Sequence, residues 1–325
     1  MEGRSGLKTT VVIPNYNGKK YLNNCLKSLE AQGREGFRVL VVDNGSADGS
    51  GDEALKRFAW IEMIRFPRNE GFCAAVNEGI RRSSTPYVLL LNNDTVMEAG
   101  SIAALEKRMD QDARLFSVSA RMVDMADPSV MDGAGDLYSA LGWAYAVGKG
   151  HPASGYEKPQ RIFSSCAGAA IYRKAYLEKT GLLDEMHFAY LEDVDLGYRA
   201  RICGFENAYE PGAVVRHAGS ATSGSRYNPF KITQSAKNNV YLIYKNMPLL
   251  QLILNLPLLA VGFAAKAVFF LKKGYGSVYL KGLGAGIRLC VTPAARARKV
   301  RFKWRNLGNY IRIQAELWVN CFRRV

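Results

Sequence analysis

The sequence predicts an α/β fold built on a mainly parallel sheet, and three observations carry that expectation. Strand-like apolar runs alternate with segments of helical apolar spacing through the first 230 residues, the pattern of right-handed crossover units. The most apolar short run, Tyr87–Leu91 (YVLLL), drives straight into Asn92, Asn93 and Asp94, as a buried strand does when it ends at the carboxyl edge of a sheet. At 325 residues the chain is long enough for one α/β domain of about 230 residues and an appendage.

Taken in order, residues 9–14 read as a β run. Residues 19–32 have helical apolar spacing at Leu22, Cys25, Leu26 and Leu29, and 37–43 make a second strand. Further strands are expected at 61–65, 87–91 and 115–121, with helices near 74–82 and 102–112. Residues 122–165 are Gly-rich and read as a loop-dominated stretch, a candidate wall for an acceptor.

Charge divides the chain. Residues 1–230 carry 27 Lys and Arg against 28 Asp and Glu, whereas 231–325 carry 17 against a single acid, Glu316, so the whole excess of +15 comes from the tail. The tail also holds PLLQLILNLPLLAVGFAAKAVFFL (248–271), long enough to span a bilayer, for which about 20 apolar residues suffice. Gln251, Asn255, Pro257 and Lys266 interrupt it, and interior polar groups are costly in hydrocarbon. The expectation is one or two helices lying in or dipping into the interface. Downstream, RARKVRFKWR (296–305) interleaves Val300, Phe302 and Trp304 with bases, and Trp318 and Phe322 follow. That composition suits an anionic membrane surface, at roughly 1 kcal/mol per Lys or Arg near it. The apolar segment upstream favours lipid over nucleic acid as partner, and a homo-oligomer interface on the same face is compatible with it. The polar start, MEGRSGLKTT, has no signal-peptide core, and the six cysteines form no CxxC or zinc spacing. The expected location is the cytoplasmic face of a membrane, peripheral or monotopic.

Two acidic clusters carry the candidate chemistry. Asp94, at a strand end, is placed to hold a divalent cation on a phosphate, although an Asx turn accounts for the same residues. YLEDVDLGYR (190–199) packs Glu192, Asp193 and Asp195 ahead of Arg199, either decorating a helix N-terminus or supplying a carboxylate that takes a proton from a hydroxyl.

Seven motifs in one order make the chain resemble the family 2 glycosyltransferases of GT-A fold, most closely their rhamnosyltransferase-like branch. They are VVIPNYNG (11–18), VVDNGSADGS (41–50), RNEGFCAAVNEGI (68–80), LLLNNDT (89–95), CAGAAIYRK (166–174), YLEDVDLGYRARICGF (190–205) and RHAGSATSG (216–224). The resemblance, which covers roughly 9–224, implies a Rossmann-like GT-A catalytic domain over 1–230, and the charge and apolar composition of the tail leave 231–325 as a basic, apolar helical membrane-association region. It implies inverting transfer of a hexose or deoxyhexose, rhamnose among the candidates, from a dTDP or UDP sugar to a hydroxyl of a lipid-linked glycan.

The residue roles follow from the same resemblance. Asp193 matches the catalytic base. Asp43 matches the nucleobase contact, and Pro14, Asn15, Asn17, Asn69, Asn77, Asn92, Asn93 and Gly168 fall on the donor side. Asp94 and His217 match ligands of a divalent cation, Mn2+ or Mg2+. Glu192 and Asp195 are expected to orient the acceptor or the loop, one of them paired with Arg199. The family's commoner acid-any-acid pattern stands here as Asn92, Asn93, Asp94, so the cation site has lost one charge. Two other accounts fit the motifs: a polyprenyl-phosphate sugar synthase on the same fold, and a membrane-docked nucleotide-sugar-binding scaffold without turnover.

Overall fold

In the computed structural model, which describes residues 6–33, 36–219 and 227–323, the β-branched and apolar start of the chain forms the centre of the sheet. The elements run β1 (Thr9–Asn15), α1 (Leu22–Glu30), β2 (Phe37–Asp43), α2 (Ser50–Arg57), β3 (Glu62–Arg65), α3 (Phe72–Arg82), β4 (Tyr87–Leu91), β5 (Thr95–Met97), α4 (Ser101–Gln111) and β6 (Leu115–Asp124). Short strands β7 (Met131–Gly133), β8 (Asp136–Tyr138), β9 (Ala144–Ala146) and β10 (Gln160–Ile162) follow, then β11 (Ala169–Arg173), α5 (Lys174–Thr180), α6 (Glu192–Ile202) and β12 (Glu206–His217). The tail is helical: α7 (Pro229–Asn246), α8 (Leu249–Lys272), α9 (Gly276–Cys290), α10 (Pro293–Arg298) and α11 (Leu307–Val319).

The main sheet has the order β10-β12-β6-β11-β4-β1-β2-β3. β1 is parallel to β2 and β4, β2 to β3, and β6 to β12, while β11 lies antiparallel between β4 and β6. Six of the eight strands therefore point the same way, and their carboxyl ends gather at one edge. β1 and β4 alternate their side chains between two layers: Val11, Ile13, Leu89 and Leu91 pack on α1 and α4, and Val12, Val88 and Leu90 pack on α3. Each is fully buried, worth about 1.5–3 kcal/mol per side chain. That double burial is why these strands read as continuous apolar runs instead of alternating ones.

Residues 122–165 are largely turns and irregular backbone, as expected, but short strands among them tie the stretch to the sheet. β6 continues through Asp124 and pairs with β7, β8 pairs with β9, and β10 pairs with β12 at the sheet edge. Glycines there mark the turns between strands too short to show period-2 alternation. The last five residues of the RHAGSATSG motif (220–224) lie outside the described residues.

The tail helices join the catalytic core. Residue 230 falls in the first turn of α7, and one apolar cluster unites Tyr138, Phe163, Val194 and Tyr198 with Leu242, Leu259, Ile313 and Leu317. α8 buries one side, Gln251, Asn255, Leu259 and Gly262, and exposes the other. Gly262 is required at its position, because a Cβ there would lie 2.0 Å from the Leu141 carbonyl oxygen.

Candidate active site

The parallel strands deliver their terminal residues to one cavity of about 700 Å3. Pro14, Asn15, Asn69, Asn92, Asn93, Asp94, Gly168, Glu192 and Asp193 all line it, so nine expected site residues, spread over the motifs, meet there. Asn15 at the end of β1 donates to the Asp43 carboxylate (3.1 Å) and to Ser50 Oγ (2.9 Å), and accepts from Asn93 Nδ2 (2.8 Å). Asp43 also accepts from Ser46 and sits just behind the cavity wall. Asn17, held at φ 50°, accepts from the Ala47 N–H (2.9 Å) and braces the same loop without lining the cavity. A Cβ on Gly168 would meet Asn92 Nδ2 at 3.2 Å, so its lack of a side chain lets that amide pack against the cavity floor.

Pairing of β5 with β12 brings Thr95 opposite His217, and this register sets Asp94 against the imidazole. His217 Nε2 lies 3.3 Å from Asp94 Oδ1, and Nδ1 lies 2.7 Å from Asp132 Oδ2 on β7. Burial works against a charged imidazole, yet the hydrogen bonds and negative charge of Asp132 and Asp94 hold His217 up to about 9. Asp132 is also buried, and His217 with Lys149 (2.5 Å) draws it down to about 2. Two carboxylates around one imidazole thus create a place that demands positive charge. Carboxylate and imidazole oxygen and nitrogen donors suit a divalent cation such as manganese, and Asp132 on Nδ1 fixes the tautomer that leaves Nε2 to bind it. Asp132 was not among the residues expected from sequence.

The opposite wall is the start of α6. Glu192 and Asp193 face the cavity, and Asp193 Oδ1 accepts the Val194 N–H (2.8 Å). Burial raises Asp193, outweighing the backbone N–H groups of Val194 and Ala167 that favour its charge. Burial and the neighbouring Asp193 push Glu192 up to about 8. Asp136, from β8, joins them: burial first, then the charge of Asp193, raises it well above the usual carboxylate range. Carboxyl oxygens of Asp136 and Asp193 and the Cys166 sulfur lie within 4.8 Å of one another. At neutral pH such a crowd keeps protons that isolated carboxylates would lose, so it offers hydrogen-bond donors as well as an acceptor.

One expected site residue is corrected, and of the two roles expected for Asp195 the structure leaves one open. Asn77 does not reach the cavity: on the buried face of α3, its amide accepts the Leu183 N–H (3.0 Å) and donates to the Leu183 carbonyl (2.8 Å) and Glu185 (2.9 Å). Asp195 contacts no acceptor space. It is fully buried beneath α6, ion-paired to Arg199 (2.8 Å) and Lys245 (2.8 Å) and accepting from Asn246 (2.7 Å). Its position is compatible with orienting the loop, the second of its expected roles, and it is the acid that pairs with Arg199.

Residues 188–191 of the loop before α6 line the cavity. Phe188, Tyr190 and Leu191 all have positive φ, near 63°, 72° and 66°, a conformation costly for bulky residues. Asn238 on α7 compensates by donating to the carbonyls of His187 (2.9 Å), Ala189 (2.8 Å) and Tyr190 (2.7 Å). The tail thereby shapes the site.

A family model for glycosyl transferase family 2 matches residues 10–181. The chain belongs to that family. As a glycosyltransferase it is an enzyme of the class that uses nucleotide sugars. It is similar to the N-acetylglucosaminyl-diphospho-decaprenol L-rhamnosyltransferase of Mycobacterium tuberculosis, 29% identical over 243 residues that cover 66% of this chain and 77% of that one. It is also similar to the pre-mycofactocin glycosyltransferase of the same organism, 31% identical over 220 residues covering 66% of this chain and 43% of the relative. Among solved structures, the mannosyltransferase PcManGT from Pyrobaculum calidifontis in complex with GDP-Man and Mn2+ superposes with TM-score 0.54 at 18% identity, over 97% of this chain and 86% of that one. Staphylococcus aureus TarS 1–349 in complex with UDP-GlcNAc gives 0.57 at 18%, over 95% and 88%. These likenesses establish the GT-A fold.

Proposed function

We propose that this glycosyltransferase is inverting and membrane-associated, and that it moves a hexose or deoxyhexose from a dTDP or UDP sugar onto a hydroxyl of a lipid-linked glycan. Rhamnose is the favoured sugar, supported by the similarity to the mycobacterial rhamnosyltransferase. The observation that carries the reading is that one cavity is lined both by Asp94, backed by His217 at 3.3 Å in a cation-demanding cluster, and by a carboxylate group led by Asp193. Asp193 would accept the proton of the acceptor hydroxyl as its oxygen attacks the anomeric carbon, work worth about 10² to 10⁴ in rate. Asp94 and His217 would hold a divalent cation, Mn2+ or Mg2+, which when bound supplies positive charge for the leaving diphosphate. Asn15, Asn69, Asn92 and Asn93 would orient the donor, with Asp43 behind them aligning Asn15 and meeting the base. Glu192, protonated near neutral pH, is suited to donate a hydrogen bond to a sugar oxygen.

Residues 1–230 are read as the catalytic domain and 231–325 as the region that associates with membrane. α8 is long and apolar enough to cross a bilayer, with mean hydropathy 2.0 and only 17% of its most apolar stretch buried. Contacts along its length favour the monotopic arrangement: Gln251 meets Tyr198 (2.7 Å), Asn255 meets Gln314 (2.8 Å), and Gly262 accepts from Trp143 (3.0 Å). A helix fastened sideways to the catalytic domain at two levels and to α11 at a third presents its other face, Leu250, Ile253, Val261 and Val268, to an anionic leaflet. The reading puts the protein on the cytoplasmic face, where a water-soluble nucleotide sugar can reach the site.

Thermal stabilisation by UDP, dTDP, GDP and CMP, each with and without Mn2+ or Mg2+, tests the donor site. A nucleotide at about 100 times its dissociation constant adds roughly 2.7 kcal/mol. UDP or dTDP with metal should stabilise the wild type and not Asp94→Ala; stabilisation by none of the four refutes the donor site.

A further inference from the structure

A second cavity, of about 260 Å3, adjoins the catalytic one and shares Ala144, Tyr190, Leu191 and Ser235 with it. Its far wall is built by the tail: Ile232 from α7, Phe270 from α8 and Tyr279 from α9 give it apolar and aromatic surface, and Lys231 and Lys266 bring two ammonium groups. Asn239 is also there, but both ends of its amide are engaged, donating to Gly142 (2.7 Å) and accepting from Tyr138 (3.0 Å).

Lys266 is the informative residue. It interrupts the most apolar helix of the chain, yet it points inward, 5.7 Å above the Trp143 ring, and has no acidic partner among the described residues. Burial lowers it to about 8, so at neutral pH it remains mostly an ammonium ion that lacks a counter-charge. Lys231 lies close enough to Asp132 and Lys149 for their charges to act on it, which sets it between this cavity and the His217 site. The outer side of α8 around Lys266 continues as exposed hydrocarbon, with Val261 at 61% and Leu271 at 70% of full exposure.

Cation, apolar wall, catalytic cavity on one side and membrane-facing helix on the other define an amphiphilic anion. We propose that the second cavity receives the carrier end of a polyprenyl-diphosphate-linked acceptor, with Lys266 and Lys231 on phosphate oxygens and Ile232, Phe270 and Tyr279 on the first isoprene unit. This rests on the reading of the acceptor as lipid-linked and adds the site that holds it. At roughly 30 Å3 per water-sized group the cavity takes about nine such groups, so one phosphate and most of one isoprene unit fill it, and the remainder of the diphosphate projects through the mouth it shares with the catalytic cavity. The second phosphate then lies at the shared mouth by Tyr190 and Leu191, directing its sugar toward Asp193, and the rest of the chain leaves along α8.

The test measures binding of farnesyl diphosphate, farnesol and inorganic pyrophosphate to the full-length protein, in wild type, Lys266→Gln and Lys266→Arg. The expected result is that farnesyl diphosphate binds at least 10-fold tighter than either fragment, that Lys266→Gln weakens it at least 10-fold, and that Lys266→Arg retains it. Nucleotide stabilisation should be the same in all three proteins. With a lipid-linked acceptor Lys266→Gln should raise KM about 10-fold and leave kcat intact, whereas a lipid-free acceptor sugar should show no difference. Farnesyl diphosphate binding that ignores Lys266, or that pyrophosphate matches, overturns the proposal. Lys266-dependent binding without stabilisation by any nucleotide keeps the lipid site and refutes the donor reading; nucleotide stabilisation without farnesyl diphosphate binding does the reverse.

Discussion

Replacing Lys245 with methionine should cost about 3–5 kcal/mol, the usual loss when one member of a buried ion pair is removed and the other charge stays behind. Lys245 lies on α7, in the tail, with its Nζ 2.7 Å from Asp184 and 2.8 Å from Asp195. All three side chains are at most 5% exposed. Methionine keeps most of the volume, so packing changes little and the effect reports the two carboxylates that lose their shared cation, Asp184 keeping the half-exposed Arg298 (3.3 Å) and the Tyr241 hydroxyl (2.7 Å). Arg199 would still pair with Asp195, but its other N–H groups are committed to the carbonyls of Thr180 (2.7 Å), Gly181 (2.9 Å) and Leu182 (2.8 Å). The assay is the chemical-denaturation midpoint at pH 7, with Lys8→Met as control. Lys8 meets Asp110 at 2.9 Å, but both side chains are about half exposed, and such pairs contribute about 0–1 kcal/mol. Adding Asp195→Asn to Lys245→Met should recover part of the loss. A cost below about 1 kcal/mol, equal to the control, would refute the claim that α7 is part of the catalytic core.

Two further predictions follow from the same region. Asn238→Ala removes the donor shared by three loop carbonyls, so it should destabilise the protein by about 1–3 kcal/mol and lower kcat, since the strained loop leads into Asp193; unchanged kcat in steady-state assays contradicts it. His187 is fully buried with both ring nitrogens unpartnered among the described residues, and burial depresses it to about 4 from an ordinary 6.5. Because the unfolded chain binds the proton first, the His187 contribution should be constant above about pH 6.5 and cost roughly 3 kcal/mol by about pH 4; it is read as the difference between wild type and variant, because His217 and Glu192, both raised in the folded state, lose their own stabilisation as pH rises. Asp195 and Asp184, both depressed by their cations against burial, add their losses only below that window. His187→Phe, which keeps the ring against Tyr241, should remove that loss, so the midpoint of the variant relative to wild type rises by the equivalent of roughly 3 kcal/mol between pH 6.5 and 4; a pH-independent difference contradicts the assignment.

The parallel half of the sheet was legible because its strands are buried on both faces: YVLLL and VVIP announce themselves, and the acid or amide ending each strand marks the site edge. β11 was not anticipated as a reversed strand, since AAIYR carries no sign of direction. Asp132 and Asp136 were invisible in a Gly-rich stretch, because strands of three residues have no periodicity and the partner of Asp132 lies 85 positions away. Asn77 misled because a motif position says nothing about which helix face it occupies, and this one faces the core. The polar residues of α7, Asn238, Lys245 and Asn246, look like surface in sequence. Their partners are carbonyls and carboxylates of a distant loop and helix, a relation only the fold reveals.

The most direct test of the central claim is the transfer rate from a dTDP or UDP sugar to a lipid-linked acceptor by Asp193→Asn, with nucleotide stabilisation measured on the same preparation. The account predicts a rate lowered about 10² to 10⁴-fold with nucleotide binding retained. A wild-type rate would contradict it, because an acceptor that needs no base is already ionised, as the phosphate of a polyprenyl phosphate is.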